Sequence, residues 1–362
     1  MKFTIGKTRA LQSLRHKPAD DPLFTVTPNK SKAKKEKAGV GAVDYLPISL
    51  PTGPNTVPLP WTSPAVLSLD TPILQLHQEI IDFVAFVTPA PDQLSTQNSL
   101  ISELITALQE VYPGLGLCPY GSTQTGLSLP SSDLDLRLVL PESSQESVDL
   151  QRIWECLCKR GYLCEFLQAA KVPIVRIERE KAPKRVEISQ TDAEFPWIYQ
   201  EIAKKPEIRP LIILLKAYFR QRNLNDTYTG GVGSYLLYHL VAFAVGTHPA
   251  YGEDAVHYEK YSLGHYLLYF LKLYGEDLDF SSVALSPATS STIRRSQTSS
   301  ASPAPLLLLS PEAPSANLAS EGLRLERVRK ALRETYTLLC EQGHCALRTT
   351  PLRCLINPEE EI

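Results

Sequence analysis

Two aspartates one residue apart, Asp133 and Asp135, stand inside the apolar run at residues 120–140, YGSTQTGLSLPSSDLDLRLVL. The strand period of two places both carboxylates on one face and sends Leu134 and Leu136 to the other, where they can enter a core. Like charges so close repel unless something positive bridges them. Mg²⁺ suits that role, being a hard ion that takes carboxylate oxygens and keeps substrate phosphates as further ligands. A Gly-Ser pair, Gly121 and Ser122, opens the stretch, so the spacing points to a phosphoryl-transfer site on a strand edge, a loop and a strand. A lone D-x-D on a surface strand is common, and the neighbours must carry the argument. A third acid, Glu187, lies between Val186 and Ile188 in KRVEISQ. It is either the outward polar position of a half-exposed strand or a further carboxylate of the site. Lys216 and Arg220 sit four residues apart in RPLIILLKAYFRQRNLN, so both cations project from one helix face.

These residues need elements to hold them. Apolar spacing predicts helices over 71–87 and 92–111, stopped by Pro-Ala-Pro at 89–91 and by Pro113-Gly114. A helix over 145–160 and a strand over 163–167 follow the D-x-D strand. Two alternating, β-branched runs at 171–180 and 184–190 read as a hairpin. From about 195 the pattern turns helical, with helices over 209–225, 235–245, 261–274 and 323–341, and a Gly-rich loop, TGGVGSY, before the second of them. The last helix carries Arg324, Arg327, Arg329, Lys330 and Arg333. Residues 281–316 are rich in Ser, Pro, Ala and Thr and read as a disordered insertion.

With 362 residues and 43% hydrophobic content, the chain has room for two domains, each with a core. No apolar run reaches the ~18 residues of a membrane span, and charges stand where a signal peptide has its apolar region. The seven cysteines are odd in number and lack a paired C-x-x-C pattern, which fits reduced thiols. Cys340, His344 and Cys345 are spaced for zinc, but no fourth ligand is evident, and a buried helix face is the better reading. Residues 1–40 hold ten Lys/Arg against three acids, a net +7 that leaves −9 for the remainder. The folded part is therefore no general nucleic-acid binder, and phosphate attraction must be local or supplied by the tail or a partner. The tail's Lys run, NKSKAKKEK, reads equally as a nuclear-import signal or a solvated segment.

The blocks LHQEIIDFV, YGSTQTGLSLPSSDLDL, KVPIVRIE, RPLIILLKAYFRQRNLNDTYTGGVGSY, YSLGHYLLYFLKLYG and NLASEGLRLERVRKALRETYTLL occur in this order across residues 61–341. Together they resemble the polymerase-β-like nucleotidyltransferases, and within them the nuclear-surveillance poly(A) polymerases of the TRAMP type. The resemblance implies an α+β protein. Residues 93–198 would form a nucleotidyltransferase domain, a small mixed sheet with helices. Residues 199–362, with the helix in 61–92, would form a mainly helical central domain, and residues 1–60 a disordered basic tail. It implies that Asp133, Asp135 and Glu187 hold Mg²⁺, or Mn²⁺ in its place. Gly121 and Ser122 would meet the triphosphate of ATP, and Lys216 and Arg220 its β- and γ-phosphates. Ser234 would lie near the triphosphate, Tyr235 would stack on the base, and Asn317 would belong to the nucleotide-recognition loop.

The implied reaction adds AMP from ATP to an RNA 3′ end in the nucleus, with a zinc-knuckle RNA-binding protein and a helicase as partners. Ala316 stands where uridine-adding relatives tend to have His, which favours ATP over UTP. Two departures bear on rate. Glu187 replaces an expected Asp, and an expected ribose-contacting Asn is missing near Asp192 and Glu194. Uridylyl transfer and a catalytically impaired scaffold are the alternatives these features leave open.

Overall fold

A computed structural model describes residues 59–69, 71–141, 148–170, 172–180, 185–191, 196–249, 262–295, 305–342, 351–360 and 362. The N-terminal tail with its Lys run, Asp192 and Glu194, and His344 and Cys345 lie outside these residues. The chain divides into two compact units, a smaller one of residues 87–199 with 361–362, and a larger one of residues up to 86 with 200–360. Helix α1 (Pro72–Val87) belongs mainly to the larger unit, and α2 (Pro91–Leu108) opens the smaller. Pro91 stands where its missing N–H costs nothing, and Gln93 Oε1 accepts from Ala90 N–H at 2.9 Å, which fixes where α2 starts.

After α2 come β1 (Gly116–Pro119), a short helix α3 (Gly121–Thr125), β2 (Leu134–Val139), α4 (Leu150–Lys159), β3 (Leu163–Leu167), β4 (Ile174–Glu178) and β5 (Arg185–Ser189). The strands form one sheet in the order β1-β2-β5-β4-β3. Only the β2–β5 pair is parallel; the other three are antiparallel, and β4–β5 is the hairpin the alternation predicts. Leu134, Leu136, Val186, Ile188, Val175 and Ile177 fill the covered face against Leu104 and Leu108 of α2 and Ile153 and Leu157 of α4. Each such side chain contributes about 1.5–3 kcal/mol when fully buried. A one-residue slip of any central strand would expose its share of that face and bury charges, so the register is firmly set.

The larger unit is mainly helical: α5 (Pro196–Lys204), whose last turns belong to it, α6 (Ile208–Gln221), α7 (Ser234–Thr247), α8 (Leu263–Lys272) and α9 (Leu325–Gln342). Helices α6 and α7 are buried nearly all round, which suits the centre of a helical core. Trp61 packs edge-on against Phe83, and buried Glu79 accepts from Leu352 N–H at 2.7 Å, tying the chain's C-terminal stretch to α1. The arginines of α9 mostly serve structure. Arg327, Arg329 and Arg333 donate to the backbone carbonyls of Asn223, Leu278 and Gly275.

The reading of 281–316 as disordered is corrected here. Strands β6 (Val283–Ser286) and β7 (Ser291–Arg294) pair as a hairpin, and Leu309 N–H donates to Leu285 O at 2.9 Å. Leu285, Leu306 and Leu308 are buried. The Ser/Pro composition hides a few apolar residues that pair backbone and bury together, and only 296–304 of this segment lie outside the described residues.

Candidate active site

The smaller unit carries five of the expected residues on or beside β1, β2 and β5, which neighbour one another in its sheet. Gly121 follows β1 with φ +60, a left-handed conformation that L side chains rarely adopt, and a Cβ there would lie 3.1 Å from Asp135 Oδ2. Glycine thus lets the chain turn directly over Asp135. Tyr120 N–H donates to Asp135 O at 3.0 Å, which locks that turn to β2. Ser122 heads α3, and its hydroxyl accepts from Ser128 Oγ at 3.3 Å. The stretch between the strands, expected as a plain loop, is thus a short helix followed by a loop.

Asp135 and Glu187 are direct neighbours across the parallel β2–β5 pair. Tyr120 reports their closeness. Burial raises its phenol above the ordinary range, a hydrogen bond from Ser189 Oγ opposes that, and the negative charges of Asp135 and Glu187 raise it further. Asp133 precedes β2 and lines a cavity of about 300 Å³ with Gln93, Gln97, Thr123, Ser128 and Ser132. These amides, hydroxyls and the Asp133 carboxylate share its walls with the apolar side chains of Val87, Pro89, Leu129, Pro130 and Leu134.

The carboxylates test the expected metal. Asp135 alternates with buried Leu134 and Leu136 on β2, Asp133 stands just before that strand, and carboxylate oxygens are the ligands a divalent ion accepts. Glu187 does not join them. Its Oε1 accepts from Arg176 Nε at 2.9 Å and lies 2.8 Å from Arg176 Nη2. Among the described residues no three His, Cys, Asp or Glu side chains gather as a metal would require. The two aspartates have the donor chemistry a divalent ion takes, while Glu187 is already engaged by Arg176.

The larger unit holds the remaining expected residues. Lys216 is buried on α6 with its Nζ 5.9 Å from the centre of the Tyr238 ring, and Arg220 is one turn further along the same helix. Gly231 in the Gly-rich loop would put a Cβ 2.4 Å from Leu224 O, so only glycine allows the loop to fold back on the end of α6. Ser234, at the first turn of α7, is exposed. Tyr235 donates its hydroxyl to Glu312 Oε2 at 2.9 Å, and its ring meets His239 edge-on at 4.6 Å. Burial, helped by the Glu312 contact, holds the Tyr235 phenol well above its usual range. Asn317 works inward: Oδ1 accepts from Leu308 and Ala319 N–H at 2.9 and 3.1 Å, and Nδ2 donates to Leu306 O at 2.9 Å. It shapes the loop that carries it.

Three residues of these sites went unnoticed in the sequence. Arg176 and Tyr120 look like ordinary strand and turn residues there, and Glu312 lies within the segment misread as disordered. For Arg176 the signal was available, since pairing the two runs of the hairpin antiparallel sets it opposite Glu187.

Residues 76–193 match the family described as poly(A) RNA polymerase, mitochondrial-like, central palm domain. The chain is similar to poly(A) RNA polymerase cid14 of Schizosaccharomyces pombe, 30% identical over 58% of this chain and 32% of that protein. It is similar as well to poly(A) RNA polymerase protein 2 of Saccharomyces cerevisiae, at 28% over 57% and 36% of the two. It thus spans about a third of the length of these relatives. In fold it resembles the polymerase core of TRAMP, an RNA surveillance complex, with a TM-score of 0.67 and 24% identity over 80% of this chain and 93% of that one. No helix among the described residues is long and apolar enough to cross a membrane. In sequence across the palm the chain is thus similar to poly(A) RNA polymerases, and in fold across most of its length it is similar to a solved polymerase core.

Proposed function

We propose that this chain is a template-independent RNA 3′-end adenylyltransferase. The observation that supports the reading is Gly121 turned over Asp135, so close that a Cβ there would lie 3.1 Å from its Oδ2, with Asp133 just before the same strand, β2. In the reaction the 3′-oxygen of an acceptor RNA bonds to the α-phosphorus of ATP, pyrophosphate leaves, and the 3′-hydroxyl proton passes to solvent or a carboxylate. A divalent ion on the aspartate pair, Mg²⁺ or Mn²⁺, would offset the charge of the triphosphate. Gly121 and Ser122 are the chain's own groups against the triphosphate, and Lys216, Arg220 and Ser234 are proposed to receive its outer phosphates. Tyr235 supplies a ring for the base, with Glu312 holding its hydroxyl and Asn317 shaping the adjoining loop. The cavity that Asp133 lines is proposed to take the last nucleotide of the acceptor, whose base would meet amides, hydroxyls and apolar side chains there.

Nuclear RNA surveillance and decay is the proposed setting. A zinc-knuckle RNA-binding protein and a helicase are the proposed partners. Two features support a partner: the chain is acidic beyond residue 40, and the arginines of α9 are tied to backbone carbonyls. The test is extension of an oligo(A) primer by Mg²⁺-ATP. Lengthening that disappears in Asp133→Ala with Asp135→Ala supports the reading. A primer left unextended both by the chain alone and with a zinc-knuckle partner sinks it, and preferred incorporation of UTP would assign the chain to uridylyl transfer.

The Glu187–Arg176 pair favours a second reading, a scaffold whose catalytic site is impaired. Glu187→Asp separates the two. A rise of about a hundredfold or more from near zero supports the scaffold, and little change supports the active enzyme.

A further inference from the structure

Four charged residues stand abreast on the open face of the smaller unit's sheet: Asp135 on β2, Glu187 on β5, Arg176 on β4 and Glu165 on β3. Each is the register partner of the next. Three are acids, and Arg176 is the one cation in the row. Like charges directly opposite destabilise a strand pair, so Asp135 and Glu187 need positive charge close by. Arg176 supplies it through the forked contact of Nε and Nη2 with Glu187 Oε1 at 2.9 and 2.8 Å. Its contact with Glu165 is looser, at 3.8 Å.

The pair is well shielded, with side-chain exposures of 28% for Arg176 and 18% for Glu187, so salt and water weaken it less than a surface pair. Bonds of this kind, charged at both ends, are about twice as strong as neutral ones. A divalent ion taking Oε1 must break them, and one taking Oε2 must sit beside the guanidinium, whose charge repels it. The extra methylene of Glu over Asp gives the carboxylate the reach to lean along the row to β4.

We propose that Arg176 is the resident counter-ion of Glu187 and withholds it from metal, so that the site takes a single divalent ion, on Asp133 and Asp135. The proposal rests on reading that aspartate pair as the nucleotide-site carboxylates, and its test needs no turnover. Mn²⁺ binding is measured by the loss of the free-ion electron paramagnetic resonance signal, for the full chain and for Glu187→Gln, Arg176→Gln and the double variant. In the natural chain one Mn²⁺ binds and Glu187→Gln leaves its affinity nearly unchanged. Arg176→Gln tightens Mn²⁺ binding about tenfold or admits a second ion, and adding Glu187→Gln removes that gain. Arg176→Lys retains the charge but not the fork and tightens Mn²⁺ binding less than Arg176→Gln, which separates loss of charge from loss of fold.

Equal weakening by Glu187→Gln with and without Arg176 overturns the proposal, because Glu187 would then be a ligand in both. Two Mn²⁺ ions on the natural chain overturn it as well. Absence of any Mn²⁺ binding instead overturns the underlying reading of Asp133 and Asp135. The two failures are therefore distinguishable.

Discussion

At the scale of single residues, the site depends on close approach. Gly121 is the sharpest case, since its φ of +60 strains any other residue and a Cβ 3.1 Å from Asp135 Oδ2 would push that carboxylate aside by a few tenths of an ångström. The left-handed conformation alone costs an L residue about 1–2 kcal/mol. Gly121→Ala is therefore expected to lower stability by about 1–2 kcal/mol in urea titration. It should also lower the rate by more than about tenfold, because relief of the contact displaces Asp135. Unchanged activity would show that Asp135 tolerates movement and is not held for chemistry. The placing of Asp135 opposite to buried Leu134 and Leu136 was legible in the sequence because strand alternation is a strictly local rule. Arg176 is legible only once the hairpin register is drawn, since its meaning lies in a cross-strand partner eleven residues away.

At the scale of elements, the sheet and helices of the smaller unit follow from apolar periodicity, and the β4–β5 hairpin forms where alternation and a charged turn predict it. The segment carrying β6, β7 and the loop through Asn317 did not follow. Its Ser and Pro content resembles that of unfolded chains, and what orders it is the burial of Leu285, Leu306 and Leu308 and the side-chain amide of Asn317. Those contacts join residues that composition cannot relate. Asn317→Ala would leave three backbone groups without their partner, and an unsatisfied buried group costs about 1–3 kcal/mol. Expected outcomes are a lower midpoint of thermal unfolding and faster amide exchange at Leu308 and Ala319. Exchange no faster than in the natural chain would mean that the loop is held by other contacts.

At the scale of the whole molecule, the larger unit contains a pH-sensitive packing contact. Burial, with help from nearby His265, lowers His77 from 6.5 to about 4, and its Nδ1 accepts from Leu263 N–H at 3.1 Å. The folded chain thus binds this proton less readily than the unfolded chain. The contribution is complete above about pH 6.5 and is lost as the pH falls towards 4. A shift of this size corresponds to about 3 kcal/mol. Chemical denaturation across that window should show stability falling with acidification, and His77→Asn should flatten the slope. An equally steep profile in the variant would place the dependence elsewhere.

The central claim is chemical, and pyrophosphate released per nucleotide added tests it most directly. In one reaction with an oligo(A) primer and each nucleoside triphosphate in turn, primer length and pyrophosphate are measured together. The account predicts a lengthening primer with ATP, one pyrophosphate for each residue added, and loss of both in Asp133→Ala with Asp135→Ala. Pyrophosphate or product that persists in that variant, or a primer that ATP leaves unchanged with the partner present, would contradict it.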